Sequence, residues 1–263
     1  MKFDNSSGES RLTNRRRAEL RSLHRSKGRR DLGQYLIEGV RPVESALDAS
    51  VALVEVVVAF EQAGDSRIAK ILERAACPVL FGSARDLDGI CDVQTTQGIV
   101  AVGTIPPPGA DPVGPCLLLD GIQDPGNVGA LIRTAAWFGA GSVVCGPGTA
   151  DPWQPKAVRA AMGGLWDLRV VRVDDLTGLL TGDWVRGKPI YVADMAGTPV
   201  GEWHPERDAV LVLGSEAHGP GEATLAAATE RVHIPRSAAG PATESLNAAV
   251  ASGILMFAWL GSA

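Results

Sequence analysis

The sequence is poor in aromatic residues and cysteines, and each shortage argues against a class of protein. Phe, Trp and Tyr make up only 5% of the 263 residues, which suits parallel strands under small-residue helices better than a β-sandwich. The four cysteines lie far apart, with no CxxC pair and no histidine at metal-ligand spacing. We therefore expect small buried thiols and no metal site.

Long apolar runs and the common phosphate-binding motifs are also missing. No stretch approaches the roughly 18 apolar residues of a membrane span, and the polar N-terminus does not resemble a signal peptide. These absences predict a cytoplasmic protein that does not contact a membrane. Because the chain has neither a P-loop nor a G-x-G-x-x-G sequence, a nucleotide bound through its phosphates is disfavoured.

The residues that are present predict an α/β fold in two parts. Hydrophobic residues make up 45% of the chain, enough for a sizeable core. Alternating strand-like and helix-like segments predict a small α/β domain over residues 31–104, and the Pro- and Gly-rich residues 105–115 predict a linker. Beyond it, residues 116–263 predict a doubly wound parallel sheet, with strand-like runs at 116–119, 142–145, 169–173, 190–193 and 210–213.

The net charge of −5 hides a basic segment near the N-terminus. Residues 11–30 contain nine Arg or Lys and one Glu. Arg17, Arg21 and Arg25 are spaced four residues apart, which predicts a helix with one basic face in a separate N-terminal arm, residues 1–30. Such a face either meets the phosphates of a nucleic acid or is simply solvated.

The first of three candidate clusters is a strand, a turn and a helix over residues 118–139. We predict that Asn127 caps the start of this helix. Arg133 lies off the apolar stripe of the helix, and its rigid set of donors is suited to a phosphate or a carboxylate. The alternative is that Arg133 stacks on Trp137, one turn later.

The second cluster is a loop that follows the predicted strand 210–213 and contains Gly214, Glu216, His218 and Gly219. Glycines here allow a ligand to approach the backbone closely. The alternative is an ordinary turn in which Glu216 caps the next helix and His218 faces solvent.

The third cluster lies near the C-terminus and comprises Ile234-Pro235, a loop rich in small residues, and Ser245-Leu246-Asn247. We predict Ser245 as the N-cap of the last helix. The small side chains of residues 248–253 indicate that another backbone packs closely against that helix, either from this chain or from a partner.

Together, these clusters resemble the SpoU/TrmH-like family, in the SPOUT class of RNA ribose methyltransferases. Residues 127–135 resemble the family's first motif, N-x-G-A-x-x-R-T-A, and residues 211–219 its second, a hydrophobic strand followed by G-[SA]-E-x-x-G. The third motif, I-P and then S-L-N, is met by Ile234-Pro235 and Ser245-Leu246-Asn247. The resemblance covers about residues 115–263, and the preceding part is similar to the family's substrate-binding domain, which resembles a small ribosomal-protein-type RNA binder.

The resemblance implies a C-terminal trefoil-knotted parallel sheet, S-adenosylmethionine as the cofactor, and a homodimer. It implies catalytic roles for Arg133, Asn127, Glu216, Ser245 and Asn247. It implies cofactor contacts for Gly214, Gly219, Ile234 and Leu246. Because an arginine stays protonated in water, we expect Arg133 to hold a substrate phosphate and stabilise the developing alkoxide rather than to act as a general base.

The sequence thus predicts an S-adenosylmethionine-dependent enzyme that methylates a ribose 2′-hydroxyl of guanosine or another nucleoside in RNA, with ribosomal RNA favoured over transfer RNA. The alternatives are a non-catalytic RNA-binding or ribosome-assembly factor and an unrelated α/β enzyme that uses a small nucleotide.

Two departures from the family pattern touch the predicted cofactor loops. Ala217 and His218 replace a usual glycine and acidic residue, and the loop at 236–244 is longer than usual. They either change substrate access or are ordinary loop variation.

Overall fold

The computed structural model describes residues 10–92, 96–237 and 245–261, and it divides into two compact units. One unit takes in the chain up to Pro106 together with Trp153–Trp166. The other takes in Pro107–Pro152 and the chain from Asp167 onward. Residues 105–115, predicted as a linker, contain no helix or strand. The segment 153–166 therefore leaves the second unit and returns to the first.

The first unit is built around a five-stranded sheet in the order β1-β4-β3-β5-β2. Strand β5 runs antiparallel to both β2 and β3, whereas β4 pairs in parallel with β1 and β3. The strands are β1 (Ser10–Arg11), β2 (Gln34–Glu38), β3 (Leu53–Ala59), β4 (Val79–Gly82) and β5 (Ile99–Thr104). The helices are α1 (Asn14–Ser22), α2 (Ser26–Leu32), α3 (Val40–Asp48), α4 (Ser66–Arg74), α5 (Ala84–Ile90) and, from the returning segment, α7 (Pro155–Ala161).

The basic segment forms two helices rather than the one predicted. The backbone of Arg25 is extended, with φ of −96° and ψ of 139°, so it precedes α2 instead of continuing α1. Leu20 and Leu23 are fully buried and pack in the same core as Leu36 and Val57. Residues 10–32 therefore supply part of this unit's core.

The returning segment is held to the first unit by polar and aromatic contacts around Tyr35. Trp166 Nε1 donates to the Tyr35 hydroxyl at 2.8 Å, and the ring of Trp153 lies 4.9 Å from that of Tyr35. Arg159 forms an ion pair with the buried carboxylate of Glu38. Burial raises the pKa of Tyr35 to about 12.

The second unit contains a six-stranded parallel sheet, as the sequence predicts, in the order β11-β9-β10-β6-β7-β8. Its strands are β6 (Cys116–Asp120), β7 (Ser142–Cys145), β8 (Arg169–Arg172), β9 (Ile190–Pro199), β10 (Val210–Gly214) and β11 (Glu230–His233). Its helices are α6 (Pro125–Trp137), α8 (Leu176–Thr181), α9 (Glu222–Ala227) and α10 (Ala248–Leu260). The central strands are continuous Val and Leu runs because parallel strands are covered on both faces.

Over the part of the chain that the structure describes, none of the helices combines the length and apolar character needed to cross a membrane.

Candidate active site

The candidate site begins where the two central strands end side by side. Gly214, the last residue of β10, pairs in register with Asp120, the last residue of β6. In parallel α/β sheets, ligands bind outside the carboxyl ends of the strands. Both the second cluster and the loop before α6 leave the sheet at this edge.

The two glycines of the second cluster shape a tight loop after β10. Gly219 has φ of +71°, and its N–H donates to the carbonyl of Ser215 at 2.8 Å. A Cβ on Gly214 would overlap the backbone of Gly219 and Pro220. Glycine is therefore needed here because the loop approaches its own strand closely; contact of either glycine with a cofactor stays a prediction.

Asp120 fixes the far side of this loop. Its Oδ2 accepts from the N–H of Gly221 at 2.8 Å and from the hydroxyl of Thr224 at 2.7 Å, at the start of α9. Asp120 is not among the site residues predicted from the sequence. It directly follows a predicted buried strand, and residues at the carboxyl ends of parallel strands commonly take part in ligand sites.

Helix α6 begins earlier than predicted, and this frees the side chain of Asn127. The N-cap is Asp124, whose Oδ1 accepts from the N–H of Asn127 at 2.9 Å, and Pro125 follows at the first helical position. The prediction of Asn127 as the cap was wrong. Instead, Asn127 Nδ2 donates to Glu216 Oε1 at 2.8 Å, and Glu216 does not cap α9.

The last helix is capped by Asn247, not by Ser245 as predicted. Asn247 Oδ1 accepts from the N–H groups of Ala249 at 3.0 Å and Val250 at 3.4 Å. Asn247 Nδ2 donates to Asn127 Oδ1 at 3.1 Å. Glu216, Asn127 and Asn247, one from each sequence cluster, thus form one hydrogen-bonded group, which we call the Asn–Glu–Asn cluster.

A cavity of about 490 Å³ lies next to this cluster in the second unit. The predicted residues Ile234, Ser245 and Leu246 line it, and Leu246 directly precedes Asn247. Gly214 and Gly219 are not among its lining residues. Asp194 also lines the cavity, although it is not among the site residues predicted from the sequence. It directly follows the predicted strand 190–193, and that position indicates a residue at the ligand-binding edge of the sheet.

Arg133 lies apart from the Asn–Glu–Asn cluster. It follows Asn127 by six residues, which places it about 9 Å further along the helix axis and on another face. Its side chain is exposed and has no hydrogen bond or ion pair with any residue that the structure describes. The alternative stacking on Trp137 is not observed, and Trp137 is itself 83% exposed.

The cysteines do not supply a nucleophile to this site. Cys116 and Cys145 are fully buried, and burial raises the pKa of each thiol to about 12. Both thiols therefore stay protonated at neutral pH. Cys77 and Cys91 are partly exposed, so the expectation of buried thiols is confirmed for only two of the four. Within residues 10–92, 96–237 and 245–261, no group of His, Cys, Asp and Glu has the arrangement of a metal site.

The fold and the joined clusters define an α/β enzyme of the RNA methyltransferase type, and family comparison makes this specific. The model of the SpoU rRNA Methylase family matches residues 115–257, and that of the MRM3-like substrate binding domain matches residues 14–101. The chain belongs to the SpoU rRNA methylase family. The resemblance found in the sequence is confirmed, whereas the trefoil knot that it implies stays a prediction.

Individual relatives are similar along nearly their whole length. The chain is 33% identical to the 23S rRNA (guanosine(2553)-2'-O)-methyltransferase RlmP of Bacillus subtilis, over 93% of this chain and 95% of that one. A solved TrmH-family protein from Porphyromonas gingivalis is 33% identical with a TM-score of 0.84, over 97% and 100% of the two chains. The SpoU methyltransferase AviRb of Streptomyces viridochromogenes, solved in complex with AdoMet, is 25% identical with a TM-score of 0.85, over 95% and 98%.

The two departures from the family pattern lie in exposed or undescribed positions. Ala217 and His218 are exposed at the tip of the loop after β10. Most of the longer loop, residues 238–244, falls outside the described residues.

Proposed function

We propose that this protein transfers a methyl group from S-adenosylmethionine to a ribose 2′-hydroxyl of ribosomal RNA in the cytoplasm. The observation that carries the proposal is the Asn–Glu–Asn cluster, which joins the three family motifs beside a cavity. The name of the Bacillus subtilis relative, a 23S rRNA 2'-O-methyltransferase, supports ribosomal RNA and guanosine as the target.

The residues around the cavity fit the proposed cofactor. The volume of the cavity lies within the range of small-molecule binding sites. Val232, Ile234 and Leu246 offer apolar walls, while Asp194 and Arg236 offer charged groups at the lining. An adenosyl group with an amino-acid tail needs both kinds of surface. When bound, the cofactor supplies an electrophilic methyl group.

We assign positioning and electrostatic roles to the site residues. The Asn127 amide orients the Glu216 carboxylate, and Asn247 orients Asn127 in turn. The exposed guanidinium of Arg133 is suited to bind an RNA phosphate and to stabilise negative charge on the 2′-oxygen as its proton leaves. Ser245 lines the cavity beside Leu246 and contributes a hydroxyl group to its wall.

We also propose that the protein is a homodimer through α6 and α10. The two helices pack together, and the rings of Phe138 and Phe257 lie edge to face at 6.3 Å. Apolar side chains nevertheless remain exposed on this face, namely Trp137, Leu246, Val250, Ile254 and Phe257. A second copy covering them would remove this apolar surface from water. Since Arg133 lies one turn before Trp137, the same docking supports its use in the partner's site.

A methyl-transfer assay with mapped products tests the proposed function. The purified protein is incubated with radiolabelled S-adenosylmethionine and total RNA from a strain lacking the gene, and the RNA species are separated. We expect label in ribosomal RNA, at a nucleotide that resists alkaline cleavage because its 2′-oxygen is methylated. Label confined to transfer RNA would support the alternative substrate, and no transfer to any RNA would contradict the proposal.

A further inference from the structure

The nine cations of residues 11–30 fall into groups that differ in what they contact. Arg16 Nε donates to Glu55 at 2.7 Å, and Arg17 forms an ion pair with Asp86. Arg29 is buried, at 3% exposure. The side chains of Arg16, Arg17 and Arg29 therefore make their polar contacts within the first unit.

Arg29 and Gly28 fix the turn between α1 and α2, which we call the α1–α2 corner (residues 21–30). The Arg29 guanidinium donates to the carbonyls of Leu23 at 2.7 Å and His24 at 3.0 Å, just past the end of α1. A Cβ on Gly28 would overlap the Ser22 carbonyl, so the two helices cross in close contact. The corner is therefore rigid before any partner binds.

Four other cations point outward from this corner. Arg21, Arg25, Lys27 and Arg30 are exposed, and none of their side chains makes a hydrogen bond or an ion pair within the described part of the chain. Lys27 and Arg30 lie one turn apart on α2. Between residues 12 and 33 the acidic residues are Glu19, which is bonded to Arg15 and Arg16, and Asp31.

We propose that the α1–α2 corner binds the sugar–phosphate backbone of the RNA substrate through Arg21, Arg25, Lys27 and Arg30. The inference rests on the proposed function and names the surface that the substrate meets. When unpaired, exposed cations on a rigid turn bind a phosphate, the free-energy cost is small because no internal ion pair has to break. Guanidinium groups match phosphate geometry, and a chain with a net charge of −5 needs such a local patch to attract a polyanion.

The test compares two four-site variants of the full chain. The corner variant is R21Q/R25Q/K27Q/R30Q. The control, R41Q/K70Q/R186Q/R207Q, removes the same charge from four exposed sites elsewhere. Within the described part of the chain, Arg186 is the only residue of the control set with an ion pair; its partner Asp183 is equally exposed, and such surface pairs contribute little to stability. Affinity for a fluorescein-labelled RNA hairpin is measured by anisotropy across a salt series, and S-adenosylmethionine binding is measured by calorimetry.

We expect the corner variant to bind the hairpin roughly 10- to 100-fold more weakly, with a salt slope smaller by about 3, while cofactor affinity and Tm stay unchanged. The control variant should bind the hairpin within about twofold of the parent. Equal losses in both variants, or none in either, would overturn the inference. If the corner variant has a lower Tm, the K27Q/R30Q pair replaces it and should lose about half of the salt-slope change.

The outcome separates this inference from the proposed function. If methyl transfer occurs but RNA affinity is independent of the corner, the inference fails and the proposed function stands. If RNA affinity depends on the corner but no RNA accepts a methyl group, the proposed function fails alone.

Discussion

The side chains of Asn127 and Asn247 share a hydrogen bond of 3.1 Å, although 120 residues separate them in the chain. Asn247 uses both ends of its amide, because its oxygen caps α10 while its nitrogen donates to Asn127. The start of α10 is thereby tied to the residue that orients Glu216.

Substitution of Asn247 separates its capping role from its positioning role. Serine is as good an N-cap as asparagine but does not supply the amide donor to Asn127. We expect Asn247→Ser to keep the stability of the parent but to lower kcat by about tenfold or more, as expected when a positioned group loses its orientation. Asn247→Ala should also lose about 1 kcal/mol of unfolding free energy. Urea denaturation and the methyl-transfer assay measure the two effects. Full activity of Asn247→Ser would show that the hydrogen bond from Asn247 to Asn127 does not contribute to catalysis.

Substitution of Arg133 tests its proposed electrostatic role. Arg133→Ala should reduce methyl transfer by about 10²-fold or more, the cost of removing one charge-stabilising donor. Cofactor affinity, measured by calorimetry, should not change, because Arg133 does not line the cavity. Arg133→Lys keeps the charge without the planar set of donors, so we expect only partial activity. Near-normal turnover of the alanine variant would contradict the assignment.

A charge on α10 tests the proposed dimer. Phe257 is 63% exposed, and a carboxylate in its place would be desolvated at a dimer interface. We expect Phe257→Glu to sediment as a monomer at concentrations where the parent is a dimer. Val113→Glu is the matched control, since Val113 is exposed but lies in the linker. A monomeric parent, or a dimeric Phe257→Glu variant, would refute the assignment of this face.

The buried hydroxyl of Tyr35 makes stability depend on alkaline pH. Its pKa in the folded state is about 12, against about 10 in an unfolded chain, because burial disfavours the phenolate. The free energy of unfolding is therefore unaffected by titration of this group below pH 10 and falls as the pH rises from 10 to 12. The total loss is about 3 kcal/mol. We expect Tyr35→Phe to flatten the fall in unfolding free energy over this window.

The matched variant for this prediction is Trp166→Phe. It removes the donor to the Tyr35 hydroxyl but keeps the titrating group, so the alkaline fall should persist. Both variants should lose about 1 kcal/mol at neutral pH, the usual value of one hydrogen bond. Urea titrations at a series of pH values measure both effects. An unchanged alkaline slope in Tyr35→Phe would assign the pH dependence to other groups.

Much of the fold could be predicted because its strands are continuous apolar runs. The predicted strand 142–145 matches β7 to the residue, and the parallel arrangement of the second sheet follows from runs buried on both faces. Strand β11 was missed because Glu230 and Arg231 interrupt its hydrophobic pattern. Helix α5 has only seven residues, too few for a clear periodic pattern, and the main sequence signal for it is the capping box formed by Ser83 and Asp86.

The hydrogen bonds of the candidate site could not be predicted from the sequence. Asp124-Pro125-Gly126-Asn127 offers two possible N-caps, and the proline, favoured at the first helical position, indicates the first of them. Ser245 and Asn247 present the same ambiguity at α10, where the backbone selects the second. Hydrogen bonds across 89 and 120 residues depend on how the chain folds, so no local pattern could have revealed them.

The return of residues 153–166 to the first unit has a consequence for engineering. A chimaera that exchanges substrate-binding domains between relatives by a single cut after Pro106 would leave Tyr35 without Trp166 and Glu38 without Arg159. The buried Glu38 carboxylate would then lack its cation, which is strongly destabilising. Exchange of the first unit therefore requires two segments from the same donor, one on each side of β6, α6 and β7.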